Sequence, residues 1–336
     1  MLNGRKDIYE MKEMKAEKKI IPIVFCFDDN MRLQAGVCIT SLLLNARPET
    51  FYDIFILHGE QCSFENSELN KLPLIYGNCR IQYRCVGRAF ESAFEIRGIT
   101  IATYYRLLIP EIIPEYDKII YSDVDVIFRN DLSEIFESTN MEGYYVAGVA
   151  DALGLQKHHH DYIENKLGLT WTEYICAGNL ILNLTLLRQD DMVERFINKV
   201  KTSTYKYQDQ DILNIVCKGK ILRMSPTFSY SADISLCAAD MLETPLYTQE
   251  ELREAQAEGI VHYTGPKPWW GWCPNFDIWW EYYRKSIWFN PKVYCDFYVS
   301  RQSNADLDCL SLWKRIKILI RYFKNGRKQL KQRVNL

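Results

Sequence analysis

The sequence has no apolar run long enough to span a bilayer, for which a helix needs about 20 residues. Residues 1–19 are charged and lack the apolar core that a secretory signal requires. Internal repeats and low-complexity segments are also missing. These absences argue against a membrane-spanning, secreted, solenoid or disordered protein, so we expect a globular protein of the cytoplasm.

Paired cysteines are missing as well. The 11 cysteines stand singly, without a Cys-x-x-Cys pair, and several fall within apolar, strand-like runs. The disulfide framework of a small secreted domain would show closer and more regular spacing. The pattern therefore predicts buried free thiols in a reducing compartment.

Core-forming residues are abundant. Hydrophobic residues make up 48% of the 336 residues and aromatic residues 13%, which is enough for one large domain. Strand-like and helix-like runs alternate, which predicts an α/β fold with a mixed but mainly parallel sheet wrapped by helices. The predicted strands are 20–27, 51–57, 80–85, 118–128 and 144–149, and the predicted helices are 31–45, 65–76, 102–108 and 190–200.

An acidic pair interrupts the apolar run at residues 118–128. Asp123 and Asp125 flank Val124, and apolar residues resume directly afterwards. In open α/β sheets, ligands collect at the carboxyl ends of strands, and two carboxylates there suit a hard divalent cation. The alternative is an ordinary turn or helix cap, which also uses Asp.

A second polar cluster lies at residues 262–269. It combines His262, which can ligate a metal, with Gly265, which lets the backbone approach a ligand, and Lys267, which can bind phosphate. Residues 259–261 are predicted to form a short strand that leads to His262. Taken alone, His262 could be a packed core histidine, but the acidic pair favours a shared diphosphate and metal site.

At this point the chain resembles the family 8 glycosyltransferases, retaining enzymes of the lipooligosaccharide galactosyltransferase and glycogenin type. The resemblance covers about residues 20–270 and implies a nucleotide-binding fold of the GT-A type. It is carried by five blocks in the family's order, at residues 23–30, 103–107, 121–128, 207–214 and 262–269.

The resemblance also implies roles for individual residues. A divalent cation, Mn²⁺ or Mg²⁺, would be bound by Asp123, Asp125 and His262. The UDP-sugar would be bound by Asp28, Asn30, Arg106, Asp123, Val124, Ala177, Gly265 and Lys267. The catalytic residues that position and stabilise the reacting sugar would be Gln210, Asp209 and Asp151.

Other interpretations of three of these residues stay open. Asp28 could cap the helix that begins near Met31, Arg106 could form a surface salt bridge, and Asp151 could be a loop carboxylate. The chain also departs from the family pattern at Cys176, where many relatives carry Asn or Ser. A contact with the donor sugar is therefore either lost or supplied by Asn179.

Two segments have no counterpart in the family pattern. Residues 153–168 include His158, His159 and His160, and we predict a variable loop on the acceptor side, with metal binding as the alternative. Aromatic residues crowd residues 269–288, where we expect them to pack a C-terminal extension onto the domain, with stacking on sugar faces as the alternative.

The predicted organisation is a charged arm at 1–19, a glycosyltransferase domain at 20–273 and an extension at 274–336. Residues 311–336 contain nine Lys or Arg and no Asp or Glu, although the whole chain carries a net charge of −2. An apolar stripe with Trp313 and Phe323 beside these cations predicts a basic amphipathic helix on an anionic membrane surface. The alternatives are a helix docked on the domain and a solvated tail.

The resemblance, together with the basic tail, implies a metal-dependent retaining enzyme that moves glucose or galactose from a UDP-sugar to an oligosaccharide or glycolipid, such as a lipopolysaccharide core. It would work at the inner face of the plasma membrane, and we expect no nucleic-acid partner. The alternatives are a catalytically silent UDP-sugar-binding protein and a self-glucosylating enzyme like glycogenin. A nucleotidyl transferase is disfavoured because no glycine-rich phosphate loop lies near the N-terminus.

Overall fold

The computed structural model describes residues 18–64, 66–88, 90, 100–202, 204–239, 244–308, 311–314, 316–317 and 320. These fall into two compact units, one within Met1–Trp288 and one within Phe289–Leu336. In the described part of the chain, no helix is long and apolar enough to cross a membrane.

The first unit is built around a seven-stranded sheet and a small three-stranded sheet. Along the large sheet, four of the strand pairs are parallel and the two pairs that involve β7 are antiparallel. The strands are β1 (Lys19–Cys26), β2 (Thr50–His58), β3 (Cys79–Cys85), β4 (Lys118–Ser122), β5 (Val126–Ile127), β6 (Val146–Ala150), β7 (Ile175–Asn183), β8 (Ile221–Met224), β9 (Tyr230–Ser231) and β10 (Val261–His262). The order in the large sheet is β3-β2-β1-β4-β7-β6-β8.

The central strands are buried on both faces. Ile23, Val24 and Phe25 in β1 have no exposed surface, and neither do Ile119 and Ile120 in β4. Parallel strands covered on both faces show such continuous apolar runs because neither face meets water. This is why the sequence pattern was sufficient to predict the centre of the sheet.

Helices flank the sheet. Those of the first unit are α1 (Arg32–Leu44), α2 (Leu72–Tyr76), α3 (Ile109–Ile112), α4 (Ser133–Ser138), α5 (Lys157–Leu167), α6 (Leu184–Gln189), α7 (Met192–Thr202), α8 (Gln208–Val216), α9 (Ala232–Ala239), α10 (Gln249–Glu258) and α11 (Phe276–Lys285). The second unit contains α12 (Pro291–Asp308). The 3₁₀ helices are Asp29–Met31, Glu68–Lys71, Ile101–Leu108, Ala152–Leu155, Trp171–Glu173 and Pro226–Phe228.

The predicted single strand at 118–128 is wrong, because the chain changes sheets there. β4 belongs to the large sheet and β5 to the small sheet, whose order is β5-β10-β9. The residues between the two strands are Asp123, Val124 and Asp125. Carboxylates are costly inside a sheet that is buried on both faces, so the pair marks the exit from one sheet and the entry to the next.

Three predicted segments differ in form. Residues 102–108 belong to a 3₁₀ helix, not an α-helix, and the described part of 65–76 is a 3₁₀ helix followed by α2. Residues 153–168 are not a loop, since they contain the end of a 3₁₀ helix and all of α5. The predicted arm at 1–19 and most of the predicted basic helix, including Phe323, lie outside the described residues.

Cysteine burial follows the prediction in most cases. Seven of the described cysteines are buried, Cys237 is half-buried, and Cys85 and Cys295 are exposed. All ten carry free thiols.

Candidate active site

Two strand ends bring the acidic pair and the histidine together. Where β4 ends, the Asp123 amide still donates to the carbonyl oxygen of Gly178, at 2.7 Å. β5 runs antiparallel to β10, so Val126 lies opposite His262. Asp125 directly precedes Val126, and the register of the small sheet therefore places it beside the imidazole.

The three predicted metal ligands form a compact group. The Nε2 atom of His262 lies 3.5 Å from Oδ1 of Asp125 and 3.7 Å from Oδ2 of Asp123. Ligand atoms from the three residues all lie within 4.8 Å of one another. Oδ1 of Asp125 is buried and has no hydrogen-bond partner in the described part of the chain. Two carboxylates and one imidazole can hold a divalent cation here, and the unpartnered oxygen fits that role.

The other nitrogen of His262 is held by neutral groups. Its Nδ1 atom lies 3.2 Å from Oγ of Ser229 and 3.8 Å from Sγ of Cys176. Metal-binding histidines generally use the second ring nitrogen in this way, which fixes the orientation of the ring. The contacts therefore turn Nε2 toward the two carboxylates.

Gly178 in β7 is required for this packing. A Cβ atom built at Gly178 would overlap the imidazole of His262, lying 2.6 Å from its Nε2 atom, and would lie 2.9 Å from Oδ2 of Asp123. A Cβ atom essentially never lies so close to a neighbouring atom, so only glycine leaves room for both side chains.

Lys267 pairs with the acidic group. Its Nζ atom lies 2.5 Å from Oδ2 of Asp125 and donates to the carbonyl oxygen of Tyr263. Burial raises the pKa of Asp125, but Lys267 and His262 outweigh burial and hold it below its usual value. The predicted contact of Lys267 with phosphate stays a prediction. A Cβ at Gly265 would meet no atom within 4 Å among the described residues, so this backbone faces open space.

Arg106 links the acidic pair to α8. Its guanidinium lies 2.9 Å from carboxylate oxygens of both Asp123 and Asp209, and it donates to the carbonyl oxygen of Ala177. The group is buried and sits over the ring of Tyr121, 4.4 Å from the ring centre. A surface salt bridge, the alternative interpretation of Arg106, is therefore wrong. Burial raises the pKa of Asp209 to about 6, although Arg106 opposes the shift.

Gln210 is fixed at both ends of its amide. Its Oε1 atom accepts from the Ala177 amide at 3.0 Å, and its Nε2 atom donates to Oδ2 of Asp151 at 2.8 Å and to the hydroxyl of Tyr174 at 3.1 Å. Burial raises the pKa of Asp151 above its usual value. Asp151 also accepts from the Leu153 amide at the start of a 3₁₀ helix, so it is buried, not a free loop carboxylate.

Asp28 and Asn30 lie at the carboxyl end of β1. Asp28 caps the 3₁₀ helix that follows β1, and its Oδ1 atom accepts from the Asn30 amide at 2.9 Å. The capping interpretation is thus observed for this residue. Both residues also line the cavity described next, so the cap is compatible with contacts to a ligand there.

One cavity of about 720 Å³ gathers all of these groups. Every residue predicted to bind metal, donor or reacting sugar lines it. The wall also includes residues that were not predicted, namely Thr103, Cys176, Gly178, Lys206, Ser229 and Trp270.

The sequence signals for these additional residues differ. Thr103 and Gly178 stand in segments that were already of interest, and Thr103 donates to Asp209 at 2.6 Å. Ser229 precedes β9 and could not be predicted from the sequence. It lies near His262 only because of the register between β9 and β10 in the small sheet. The three adjacent histidines of α5 do not join the metal group, since that group consists of Asp123, Asp125 and His262 among the described residues.

Comparisons of the sequence with known proteins find relatives over most of the chain. General stress protein A of Bacillus subtilis (strain 168) is 27% identical over 262 residues, covering 75% of this chain and 88% of that protein. The lipopolysaccharide 1,2-glucosyltransferase of Escherichia coli (strain K12) is 24% identical over 262 residues, covering 75% and 73%.

A solved structure shares the fold. The galactosyltransferase LgtC, solved in complex with donor and acceptor sugar analogues, superposes with a TM-score of 0.66 at 26% identity, covering 81% of this chain and 98% of that one. The predicted α/β fold of the GT-A type is confirmed. Residues 22–273 match the family model described as glycosyl transferase family 8. The chain therefore belongs to glycosyl transferase family 8.

Proposed function

We propose that this glycosyltransferase moves glucose or galactose from a UDP-sugar to a glycan acceptor, with retention of configuration and with a divalent cation bound by Asp123, Asp125 and His262. The observation that carries the proposal is the convergence of these three side chains on one cavity with the predicted donor-binding residues. A UDP-sugar needs a cation for its diphosphate and hydrogen-bonding groups for its base and sugar, and the cavity offers candidate ligands for the cation as well as polar side chains.

The bound cation, Mn²⁺ or Mg²⁺, would supply the positive charge that stabilises the departing diphosphate. Lys267, which contacts Asp125, would add a second positive charge. At the end of β1, Asp28 would bind the base and Asn30 the ribose or the donor sugar, while Arg106, Val124 and Ala177 would border the donor.

The contacts of Gln210 favour attack on the face that the leaving group vacates. A covalent intermediate needs a free nucleophile below the sugar. An amide is a poor nucleophile, and both ends of the Gln210 amide are already hydrogen-bonded. Gln210 and Asp151 would therefore position the sugar, and the Asp209 carboxylate would stabilise the positive charge that develops on it.

For the acceptor we propose a cell-surface glycan such as a lipopolysaccharide core. Support comes from the relative in E. coli, whose name assigns it to lipopolysaccharide. A cytoplasmic location, with the basic tail at the inner face of the plasma membrane, remains part of the proposal. A silent UDP-sugar-binding protein and a glycogenin-like enzyme are the alternatives.

Asp125→Asn tests the metal assignment. We expect the variant to lose Mn²⁺-dependent release of UDP from UDP-glucose or UDP-galactose, because an amide is a weak ligand for a divalent cation. Its Mn²⁺ affinity, measured by electron paramagnetic resonance, should fall in parallel. Asp117→Asn is the matched control, since Asp117 lies at the opposite end of β4 and its side chain is 91% exposed.

The possible results distinguish the proposed enzyme from its two alternatives. Metal-dependent turnover retained by Asp125→Asn would disprove the ligand assignment. Metal-dependent binding of a UDP-sugar by the wild-type protein without release of UDP, with or without acceptor, would instead identify a silent binder. Transfer to the protein's own side chains, detected by mass spectrometry, would identify the glycogenin-like alternative.

A further inference from the structure

Two tryptophans in the aromatic segment are largely exposed, whereas two of the others are buried and Trp269 and Trp288 are half-buried. Trp279 and Trp280 of α11 have 1% and 3% of their surface exposed, but Trp270 and Trp272 have 75% and 69%. Packing of a C-terminal segment explains the first pair and not the second. Large exposed aromatic side chains frequently mark a binding surface.

Trp270 is presented by a turn that is tied to the metal group. The amides of Trp270 and Gly271 both donate to the carbonyl oxygen of Lys267, at 3.0 and 3.1 Å. The Lys267 ammonium, in turn, contacts Asp125. The backbone of Trp270 is thereby fixed relative to the metal ligands.

The turn is also fixed on its other side. The indole NH of Trp280 donates to the carbonyl oxygen of Pro268 at 3.0 Å. The ring of Trp269 packs 5.4 Å from Trp279 and meets the ring of Trp270 nearly edge-on, at 6.3 Å and 72°. The ring of Trp270 is therefore exposed, while the turn that carries it is held by contacts with α11.

We propose that Trp270 is an acceptor-binding residue whose indole stacks on a pyranose ring of the glycan. The inference rests on the proposed function and adds the residue that selects a sugar acceptor. Trp270 lines the same cavity as the metal group, whereas Trp272, nearly as exposed, does not belong to the cavity wall in the described part of the chain. A pyranose presents one face of C–H groups, which an aromatic ring can cover while polar groups bind the hydroxyls.

The surrounding charges favour a glycan over a membrane as the partner of this turn. An anionic bilayer surface attracts clusters of available cations. The cation next to the turn in sequence, Lys267, lines the cavity and pairs with Asp125 there, and the next charged residue along the chain is the acidic Asp277. Neither provides the charge that anionic lipid would require.

The test compares Trp270→Ala with Trp272→Ala and Trp270→Phe in the full-length protein. The probes are methyl β-D-galactopyranoside, methyl α-D-glucopyranoside and lactose, each with a UDP-sugar and Mn²⁺. For the best of these acceptors, we expect Trp270→Ala to raise KM about tenfold, the upper range for one stacked ring, and to lower the ratio of transfer to hydrolysis. Trp270→Phe should restore most of the loss because it keeps an aromatic face.

Trp272→Ala is the matched control and should keep the wild-type KM. An unchanged acceptor KM in Trp270→Ala, or equal losses in both alanine variants, would overturn the proposal. Reduced flotation with anionic liposomes at unchanged KM would assign the turn to a membrane instead.

A further measurement separates failure of this proposal from failure of the proposed function. If the wild-type protein releases no UDP from any UDP-sugar, the proposed function fails. Trp270 is then judged by tryptophan fluorescence alone. A response to the three pyranosides that disappears in Trp270→Ala would sustain sugar binding at this ring, and the absence of any response in the wild-type protein would refute it.

Discussion

The two ring nitrogens of His262 face different kinds of side chain. Nε2 faces the carboxylates of Asp123 and Asp125, and Nδ1 faces Ser229 and Cys176. Such a ring contributes a lone pair to a metal only if its other nitrogen carries the proton. Cys176, which departs from the family pattern, thus lies beside the metal group as well as the cavity.

Gly178→Ala should damage the site more than the fold. Because the added Cβ would overlap the imidazole of His262, we expect at least about a tenfold loss of Mn²⁺ affinity, comparable to the loss of a supporting contact. Overpacking should also lower the free energy of unfolding by about 1–3 kcal/mol. Isothermal titration calorimetry and denaturant titration measure the two effects.

Gly148→Ala in β6 is the control for Gly178→Ala. Its Cβ would lie 2.7 Å from Cδ1 of Ile175, so it overpacks the core without touching His262. We expect a similar loss of stability with wild-type Mn²⁺ affinity. Equal metal affinity in the two alanine variants would show that the contact of residue 178 with His262 has no role.

The candidate metal ligands could be predicted from the sequence. The residues that hold these ligands in position could not. Asp123, Asp125 and His262 stand in recognisable motifs, and the resemblance to the family joined them. Ser229 supports His262 only because β9 and β10 pair in one particular register. A short strand of two residues carries too little pattern to fix a register in advance.

Among the elements, the small sheet depends on Arg129, which follows β5 and holds the end of α10. Its guanidinium donates to the carbonyl oxygens of Ala255 and Gly259 at 2.8 and 2.6 Å, and to those of Gln256 and Ala257 at 3.2 and 3.1 Å. A cation at the C-terminus of a helix also opposes the negative end of its dipole. Arg129 thereby fixes the segment that leads into β10 and His262.

Arg129→Lys should destabilise the protein despite keeping the charge. One ammonium group cannot reach all the carbonyl oxygens that the planar guanidinium serves, so we expect a loss of about 1.5–3 kcal/mol in the free energy of unfolding. Mn²⁺ affinity should fall as well, because β10 is held less firmly. Urea unfolding and metal titration provide the measurements.

The control for Arg129→Lys is the neighbouring Asn130→Ala. The Asn130 side chain makes one exposed hydrogen bond to the carbonyl oxygen of Glu258, at 3.1 Å, so its removal should cost much less. If Arg129→Lys is as stable as the wild-type protein, the guanidinium does not hold α10 in place.

Helices and strands could be predicted where the hydrophobic pattern was long, as in β1, β2 and α1. They could not be predicted where tertiary packing decides the structure. The apolar run at 118–128 does not reveal that β5 joins another sheet, and the three histidines do not reveal α5, since histidine has no strong helix preference. Tertiary packing decided both cases.

At the scale of the whole molecule, the cavity belongs entirely to the first compact unit. Its wall runs from Cys26 to Trp270, and that unit lies within Met1–Trp288. The sequence predicted a nucleotide-binding domain followed by an extension with its boundary at 273, and that boundary stays a prediction. The antiparallel insertion of β7 between β4 and β6 could not be predicted, because strand order depends on long-range pairing.

A fragment that ends at Trp288 should keep the chemistry and lose membrane association. We expect cooperative thermal unfolding and wild-type release of UDP from the UDP-sugar, because the fragment retains every residue of the cavity wall. Flotation with anionic liposomes should disappear, because the nine Lys and Arg of residues 311–336 are removed. Sucrose-gradient flotation and a UDP-release assay are the measurements.

Two results for this fragment would contradict the prediction. Flotation retained by the fragment would show that residues 289–336 are not the membrane anchor. Loss of cooperative unfolding would show that the first unit needs the second in order to fold.

Because Asp125 and His262 lie far apart in the sequence, they are synthesised at different times. The acidic pair leaves the ribosome 137 residues ahead of its histidine. At roughly 5–20 residues per second, the delay is about 7–27 seconds. During that interval β10, the strand that pairs with β5, has yet to be made. Prematurely terminated chains that lack β10 would therefore carry the two aspartates without His262, so the proposed metal site can be complete only after almost all of the first unit has been translated.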